Sequence, residues 1–405
     1  TGSRHAGEYD LAWQAKLFPN SPYYPYLREH EIIEYWKDVI KENGKTNGSL
    51  IAGQRFYRDH LVNRHQVKIR FLSADPDAEN PDNTIPEEVT ARLVIDASGT
   101  NSHILKAYGI RHNRYYWWSI FGCIIRHPNG LGTMKVGDYM LWQTFQDTNL
   151  DPEKSFLNGR PVFEYEILDE DYSFALIMYL RRDKVEYDHM KAEFLQILTH
   201  EEETASFRDE QGVVHMEELK WGWYPSGGLT LRVSRDRVDF IGDAGSWTTP
   251  CGWGMGFIMA NYRDYVRKLT HLLRQDKLNR RRLQRLVRPK RYQRAEILAN
   301  RIAMHFLANA KASQLDKFIE IFNTVDPLLC EKMFTLQITP RETFTFLKAA
   351  LRQFSFSEIW SVIPTRDYPN LLGDVLSVSW EFGRECIHEL FGRPIRRRSF
   401  NVFGR

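Results

Sequence analysis

Arg237-Val-Asp-Phe-Ile-Gly-Asp-Ala-Gly-Ser-Trp-Thr-Thr-Pro-Cys-Gly-Trp-Gly-Met-Gly-Phe-Ile-Met-Ala260 is the stretch on which the fold turns. Val238, Phe240 and Ile241 make a short apolar run suited to a central strand. Gly242-Asp243 follows as a turn, then Pro250, then Gly252, Gly254 and Gly256 at the start of an apolar helix. This order solves one problem, which is to bring backbone against a large, polar, phosphate-bearing cofactor. Asp243 sits just past the strand, where a carboxylate accepts hydrogen bonds from sugar-type hydroxyls. Gly242 and Gly245 permit backbone angles or close approach that a Cβ forbids. Gly252, Gly254 and Gly256, with Met255 between the last two, leave amide N–H groups bare at a helix start. The partial positive charge there suits a phosphate or the anionic edge of a reduced ring. The same glycines also fit an ordinary strand–loop–helix turn, and it is their occurrence with the Gly-Asp pair that favours a cofactor.

The chain has 405 residues, 42% of them hydrophobic, which is enough for one large or two ordinary domains with a buried core. No uninterrupted apolar run is long enough to span a bilayer. The chain begins at Thr1 rather than Met, which leaves room for a targeting segment upstream; a cytoplasmic or peripheral membrane location is expected. Cys123, Cys251, Cys330 and Cys386 lie far apart without metal-type spacing and fit reduced thiols. His103, His112 and His127 show no metal spacing either, so no metal site is expected. A net charge of +3 is too small to imply nucleic acid. Between residues 267 and 294, however, the basic residues Arg267, Lys268, Arg274, Lys277, Arg280, Arg281, Arg282, Arg285, Arg288, Lys290, Arg291 and Arg294 face the single acid Asp276. Interleaved leucines read as a basic amphipathic helix. It either touches an anionic membrane surface or packs its leucines on the core.

The order along the chain is α/β, then sheet, then α/β, then helices. Leu27, Ile32, Ile33, Trp36, Val39 and Ile40 form an apolar stripe of a helix from Arg28 to about Asn43, stopped by Gly44. A strand around Leu50 to Gly53 and two hairpin-like segments, Gln54 to His60 and Gln66 to Leu72, come next; Ser73 to Pro86 is a polar loop. Ala91-Arg-Leu-Val-Ile-Asp-Ala-Ser-Gly99 is a buried strand ending in an acid and a glycine. Ser119 to Arg126, Tyr139 to Phe145, Val162 to Ile167 and Phe174 to Leu180 alternate as strands, interrupted by a helix from Tyr187 to Thr199. The expected division is a cofactor-binding part over 1–114, an inserted antiparallel substrate sheet over 115–231, a return to the cofactor-binding part over 232–266 and a helical region over 267–405.

The Gly-Asp and Pro-x-Gly-x-Gly run resembles the second flavin-contacting motif of the two-dinucleotide-binding-domain flavoproteins. Val94-Ile-Asp-Ala-Ser-Gly-Thr-Asn-Ser102 is similar to their middle motif, which places Asp96 and Gly99 beside the adenosine part of the flavin. Tyr26-Leu-Arg28 resembles their arginine at a helix start. Within that superfamily, Trp223-Tyr-Pro-Ser-Gly-Gly-Leu229 and Ser119-Ile-Phe-Gly-Cys-Ile-Ile-Arg-His-Pro128 resemble segments of lycopene cyclases. The resemblance implies an α/β, FAD-binding Rossmann-like fold with an inserted antiparallel sheet, a membrane-associated habit and a long apolar substrate. FAD is the implied cofactor, with NAD(P)H as a reductant if the chemistry is redox. Two departures stand out. The opening Gly-x-Gly-x-x-Gly is absent, which implies either N-terminal truncation or weak FAD binding. The cyclases' Phe-Leu-Glu-Glu-Thr acid motif is replaced by Ser173-Phe-Ala-Leu-Ile-Met-Tyr179.

Protonating a polyene requires a buried carboxylic acid of raised pKa. Glu164 and Glu166 are the candidates, at alternate positions of one strand and hence on one side of it. If that side faces a cavity, repulsion and burial make one of them an acid; if it faces water, they are surface charges. Asp138 is a weaker candidate. Three functions remain open: an FAD enzyme that cyclises or oxidises an apolar polyene or isoprenoid, a flavin monooxygenase or halogenase (the Trp221-Gly-Trp-Tyr-Pro225 run faintly resembles the latter, without a convincing lysine beside it), and a non-catalytic carotenoid- or lipid-binding scaffold.

Overall fold

The computed structural model describes residues 11–15, 34–35, 37–38, 42, 54–63, 65–73, 87–110, 115–130, 139–143, 161–200, 202–227, 233–247, 254–287, 291–310 and 339–390, with eight positions between 314 and 329. Its strands are β1 (Leu11–Ala15), β2 (Gln54–Asn63), β3 (Gln66–Ser73), β4 (Glu87–Ala91), β5 (Val94–Asp96), β6 (Tyr116–Arg126), β7 (Tyr139–Gln143), β8 (Val162–Ile167), β9 (Tyr172–Arg181), β10 (Met216–Ser226) and β11 (Val238–Phe240). The helices are α1 (His103–Ala107), α2 (Tyr187–His200), α3 (Gly254–Arg274), α4 (Arg280–Leu283), α5 (Arg291–Asn309), α6 (Pro340–Gln353), α7 (Phe356–Val362) and α8 (Tyr368–Leu390).

The expected antiparallel sheet is present. It has six strands in the order β1-β7-β8-β9-β6-β10. Two of its strands are unexpected. β1 falls in the segment assigned to the cofactor-binding part, yet pairs with β7, Leu11 opposite Gln143. β10 contains Pro225, which argues against a central strand; it sits at the sheet edge, where a missing N–H is tolerated.

Period-two alternation gives this sheet two different faces. Phe163, Tyr165 and Ile167 of β8, with Phe121 of β6 and Tyr179 of β9, pack on Met190, Phe194, Ile197 and Leu198 of α2. Those four α2 residues lie at i, i+4, i+7 and i+8, the single stripe a surface helix buries. On the opposite face, Tyr116, Trp118, Val162 and Leu180 enter a second core with Leu298 and Phe306 of α5, Phe346 of α6 and Leu371 and Val378 of α8. From Arg291 to Leu390 the described residues are mostly helical. α6 and α7 each open with a reciprocal capping box, Thr339 with Glu342 and Ser355 with Glu358.

β5 and β11 pair in parallel, Val94 opposite Val238 and Phe240 opposite Asp96. Their apolar residues share a core with Ile104 and Leu105 of α1 and with Val67 and Ile69 of β3. Strand β5 is shorter than the sequence suggests, because Ala91 belongs to β4, the third strand of an antiparallel sheet with β2 and β3. In the expected helix from Arg28, Glu34, Tyr35, Lys37, Asp38 and Glu42 are helical; the expected strand near residues 50–53 lies outside the described residues.

Candidate functional site

The parallel pair brings two predicted groups to one end. Phe240 is in register with Asp96, and the Ile241 N–H donates to the Asp96 carbonyl at 2.9 Å. Asp96 and the Gly242-Asp243 turn therefore meet at the carboxyl ends of the strands. The turn is tight. Gly242 adopts φ +58°, and the Gly245 and Trp247 N–H groups both return to the Gly242 carbonyl, at 3.0 and 2.9 Å. A Cβ on Gly245 would sit 2.4 Å from the Phe240 carbonyl oxygen and 2.8 Å from the Trp247 ring, closer than real contacts allow. Gly99, at φ +75°, makes the matching turn after β5.

The two carboxylates differ. Asp96 is buried, and its oxygens are taken by its own loop: the Ser98 N–H at 2.9 Å, the Ser98 hydroxyl at 2.5 Å and the Ser102 hydroxyl. Ser102 in turn caps α1. Asp96 thus shapes the loop. Asp243 is half-buried, and burial raises its pKa. Gly254, Met255 and Gly256 form the first turn of α3, a short distance along the chain. Arg28, Pro250, Gly252 and Asp138 lie outside the described residues.

Glu164 and Glu166 share the sheet face opposite α2. Glu164 pairs in register with Leu141 and Leu176, and Glu166 with Tyr139 and Phe174. Both are half-buried. Around them the same face carries Ile120, Ile124, Phe174, Leu176 and Met178, buried or half-buried. Gly122 keeps the centre of this face flat: a Cβ there would lie 2.6 Å from Leu176 Cβ. Burial in these surroundings pushes Glu166 above the ordinary carboxylate range.

A third cluster, unannounced by any local motif, ties the start of β6 to the helices. Asp367, fully buried, accepts from Arg301 at 2.9 and 3.0 Å, from Asn370 at 2.8 Å and from Tyr115, and meets His305 Nε2 at 2.7 Å. On its other side, His305 Nδ1 meets the Tyr116 hydroxyl at 3.2 Å, and Asn309 donates to the same hydroxyl at 2.6 Å. Arg301 also reaches Asp374 at 2.9 Å. Burial alone would raise the Asp367 pKa, but His305, Arg301, Tyr115 and Asn370 together hold it well below its usual range. Burial lowers His305 against the pull of Asp367. Tyr115 is pushed up to about 12, by burial first and then by Asp367.

The basic stretch over 267–294 is not one helix. α3 stops at Arg274, Asp276 takes φ +51° and binds Arg237 at 2.7 Å, and Asn279 caps the short α4 before α5 begins at Arg291. Leu269, Leu278, Leu283 and Leu286 are buried in a core with Trp247, Phe257 and Tyr265. From Arg267 to Arg285 the arginines and lysines stay outside, with Tyr262 and Val266 exposed nearby. A lysine does lie beside the tryptophan run: Lys184 Nζ sits 4.5 Å from the Trp117 ring centre and 4.6 Å from that of Trp223. It is on the α2 side, away from Glu164 and Glu166. Among the described residues, no cluster of His, Cys, Asp and Glu could hold a metal ion, and no helix is long and apolar enough to cross a membrane.

Residues 52–359 match the family described as lycopene cyclase protein. No curated protein matches the chain. Among solved structures it is similar to a geranylgeranyl bacteriochlorophyll reductase-like protein from Thermoplasma acidophilum, at 13% identity and a TM-score of 0.51, over 82% of this chain and 74% of that one. It is similar also to OxyS anhydrotetracycline hydroxylase from Streptomyces rimosus, at 15% identity and a TM-score of 0.47, over 77% of this chain and 56% of that one. A third is the myxobacterial chondrochloren halogenase CndH, an FAD-dependent halogenase, at 13% identity and a TM-score of 0.42, over 82% and 74%. The first of these likenesses shows the shared fold.

Proposed function

Because the chain belongs to the lycopene cyclase protein family and is by descent a flavoenzyme, we propose that it binds FAD and acts on an apolar polyene or isoprenoid-type substrate, by cyclisation or oxidation. The observation that carries this reading is the half-buried apolar face around Glu164 and Glu166. It combines a surface suited to hydrocarbon with a carboxyl group that burial keeps in its acid form to higher pH. In this reading Glu166 holds the proton and delivers it to the substrate, Glu164 sets the local charge, and Ile120, Ile124, Phe174 and Leu176 exclude water.

The strand ends fit the cofactor. Asp243 offers a half-buried carboxylate to a ribitol or ribose hydroxyl, Gly242 and Gly245 keep the turn close, Asp96 and Gly99 hold the neighbouring loop, and Gly254 to Gly256 open α3 behind it. FAD, when bound, supplies a ring that either exchanges electrons or stabilises positive charge. NAD(P)H is the reductant where the reaction is redox. In this reading β5 and β11 with α3 hold the cofactor and the inserted sheet takes the substrate, and the exposed arginines between Arg263 and Arg285 offer an electrostatic attraction to a membrane holding the substrate. The placement of Lys184 on the far side of the sheet weighs against a halogenase.

The test is flavin retention by Asp243→Ala. A hydrogen bond from a sugar hydroxyl to a carboxylate contributes about 1–3 kcal/mol, so its removal should weaken the Kd for FAD roughly 5- to 150-fold by fluorescence titration. Unchanged FAD affinity would remove Asp243 from the site. Conversion of a polyene to an isomer without NAD(P)H or oxygen uptake separates cyclisation from oxidation.

A further inference from the structure

The indole N–H of Trp118 is buried and has no acceptor among the described residues. At 5% exposure the side chain is out of reach of bulk water. Leaving such a donor unpaired costs free energy, and buried tryptophans ordinarily find a partner. Its neighbours have theirs. The Trp223 indole donates to the Val185 carbonyl at 2.8 Å, and the Tyr116 hydroxyl, on the same face of β6 as Trp118, meets Asn309 and His305. Trp118 also stands on the sheet face that carries Glu164 and Glu166. Its register partners are Leu180 and Tyr224, and it stacks on the Tyr224 ring with centroids 6.0 Å apart. From Glu166, the half-buried side chains of Phe174, Ile124, Met178 and Ile120 form an apolar strip leading toward it. Past the strip, Trp118 and Leu180 enter the core under the helices with Leu298 and Phe306. Space remains at this inner end. A Cβ on Gly222, in register with Ile120, would meet no atom of the described residues within 4 Å. Glu166 shares its row with Phe174 and Ile124, six residues along β6 from Trp118, or about 20 Å.

We infer that the Trp118 N–H binds an oxygen of the substrate, so that the molecule lying on this face is a long apolar one with a hydroxyl or carbonyl at the end remote from Glu166. The inference rests on reading the face around Glu164 and Glu166 as the substrate site, and it adds the polar group that the site selects. An indole nitrogen donates and accepts nothing, so its partner must be an acceptor. A single neutral donor in apolar surroundings suits a neutral oxygen rather than a carboxylate, whose buried charge it could not offset. A pure hydrocarbon would leave the N–H unpaired and would gain nothing from an indole that a phenyl ring does not give. Pockets that place one polar group in an apolar wall use it to fix orientation. Here the oxygen at the inner end would set which carbon of the chain lies beside Glu166. A site built around such a donor also rejects the analogue that lacks the oxygen.

The full chain, with FAD added, is titrated with retinol, a polyene alcohol, and with the same polyene carrying a methyl group in place of its terminal CH2OH. Binding is read by quenching of tryptophan fluorescence. The wild type should bind the alcohol more tightly by about fivefold or more. Trp118→Phe keeps an aromatic ring and removes the donor, so it should raise the Kd of the alcohol to that of the hydrocarbon. Glu166→Gln should leave the preference for the alcohol in place, because its side chain is at the other end of the strip. Equal affinity of the wild type for the two polyenes, a comparison that needs no variant, overturns the inference while the apolar-substrate reading stands. So does a preference that survives Trp118→Phe, or one that Glu166→Gln abolishes. Binding of neither polyene overturns both.

Discussion

Replacing Asp367 by asparagine tests whether the buried cluster holds the sheet to the helices. The change preserves volume and removes one charge. Arg301 would keep Asp374 as a partner but forfeit its charged hydrogen bonds of 2.9 and 3.0 Å, and His305 and Tyr115 would face a neutral amide that already has Asn370 beside it. Arg301 and His305 are 8% and 0% exposed, so water cannot make up the difference. Breaking one partner of a buried ion pair costs about 3–5 kcal/mol, a large share of a stability of about 5–15 kcal/mol. With a urea slope of about 3 kcal/mol/M, the unfolding midpoint should fall by roughly 1–1.7 M. Asp374→Asn leaves Arg301 bound to Asp367 and should cost less than half as much. Because the folded-state pKa of His305 is depressed, its contribution is present above the unfolded value of about 6.5 and is lost as pH falls below it toward the folded value. The wild type should therefore lose stability on acidification from about pH 6.5, and His305→Gln should flatten that part of the curve. A midpoint change under about 0.3 M for Asp367→Asn, about 1 kcal/mol at that slope, would refute the reasoning.

Three further outcomes follow from the site. Glu166→Gln should lower turnover by about 100-fold or more, in the range of a missing general acid, while apolar substrate still binds, as measured by quenching of tryptophan fluorescence. Since burial raises the Glu166 pKa, activity that needs its acid form should fall as pH rises through a value above the ordinary carboxylate range; an unperturbed limb near about 4.3 would contradict this. Gly245→Val would force a side chain against the Phe240 carbonyl and Trp247, so it should reduce stability by about 1–3 kcal/mol and loosen flavin, read by thermal melting with and without FAD.

The parts of the fold written in local pattern were legible. β8, β9 and α2 stand where alternation and helical spacing put them, and the parallel pairing of β5 with β11 realises the two strand ends read from Asp96 and Gly242-Asp243. Glu164 and Glu166 share a face because a strand gives no alternative. What depended on distant partners was not legible. Tyr115 and Asp367 are 252 residues apart, and nothing near either one announces the other. β10 was not expected; it is an edge strand, and Pro225 is tolerated there because edge position is defined only by tertiary pairing. The basic stretch looked like a continuous helix because its leucine spacing is helical; Asp276 breaks it, at a positive φ fixed by Arg237 from another part of the chain.

Tyr116, Trp118, Val162 and Leu180 supply the floor on which α5, α6 and α8 rest, while their strands turn the other side toward α2. The helices consequently have no complete interior of their own. A fragment beginning at residue 291 would lose Tyr116, Trp118, Val162 and Leu180 from its core, so this region should be less stable when excised than in the whole chain.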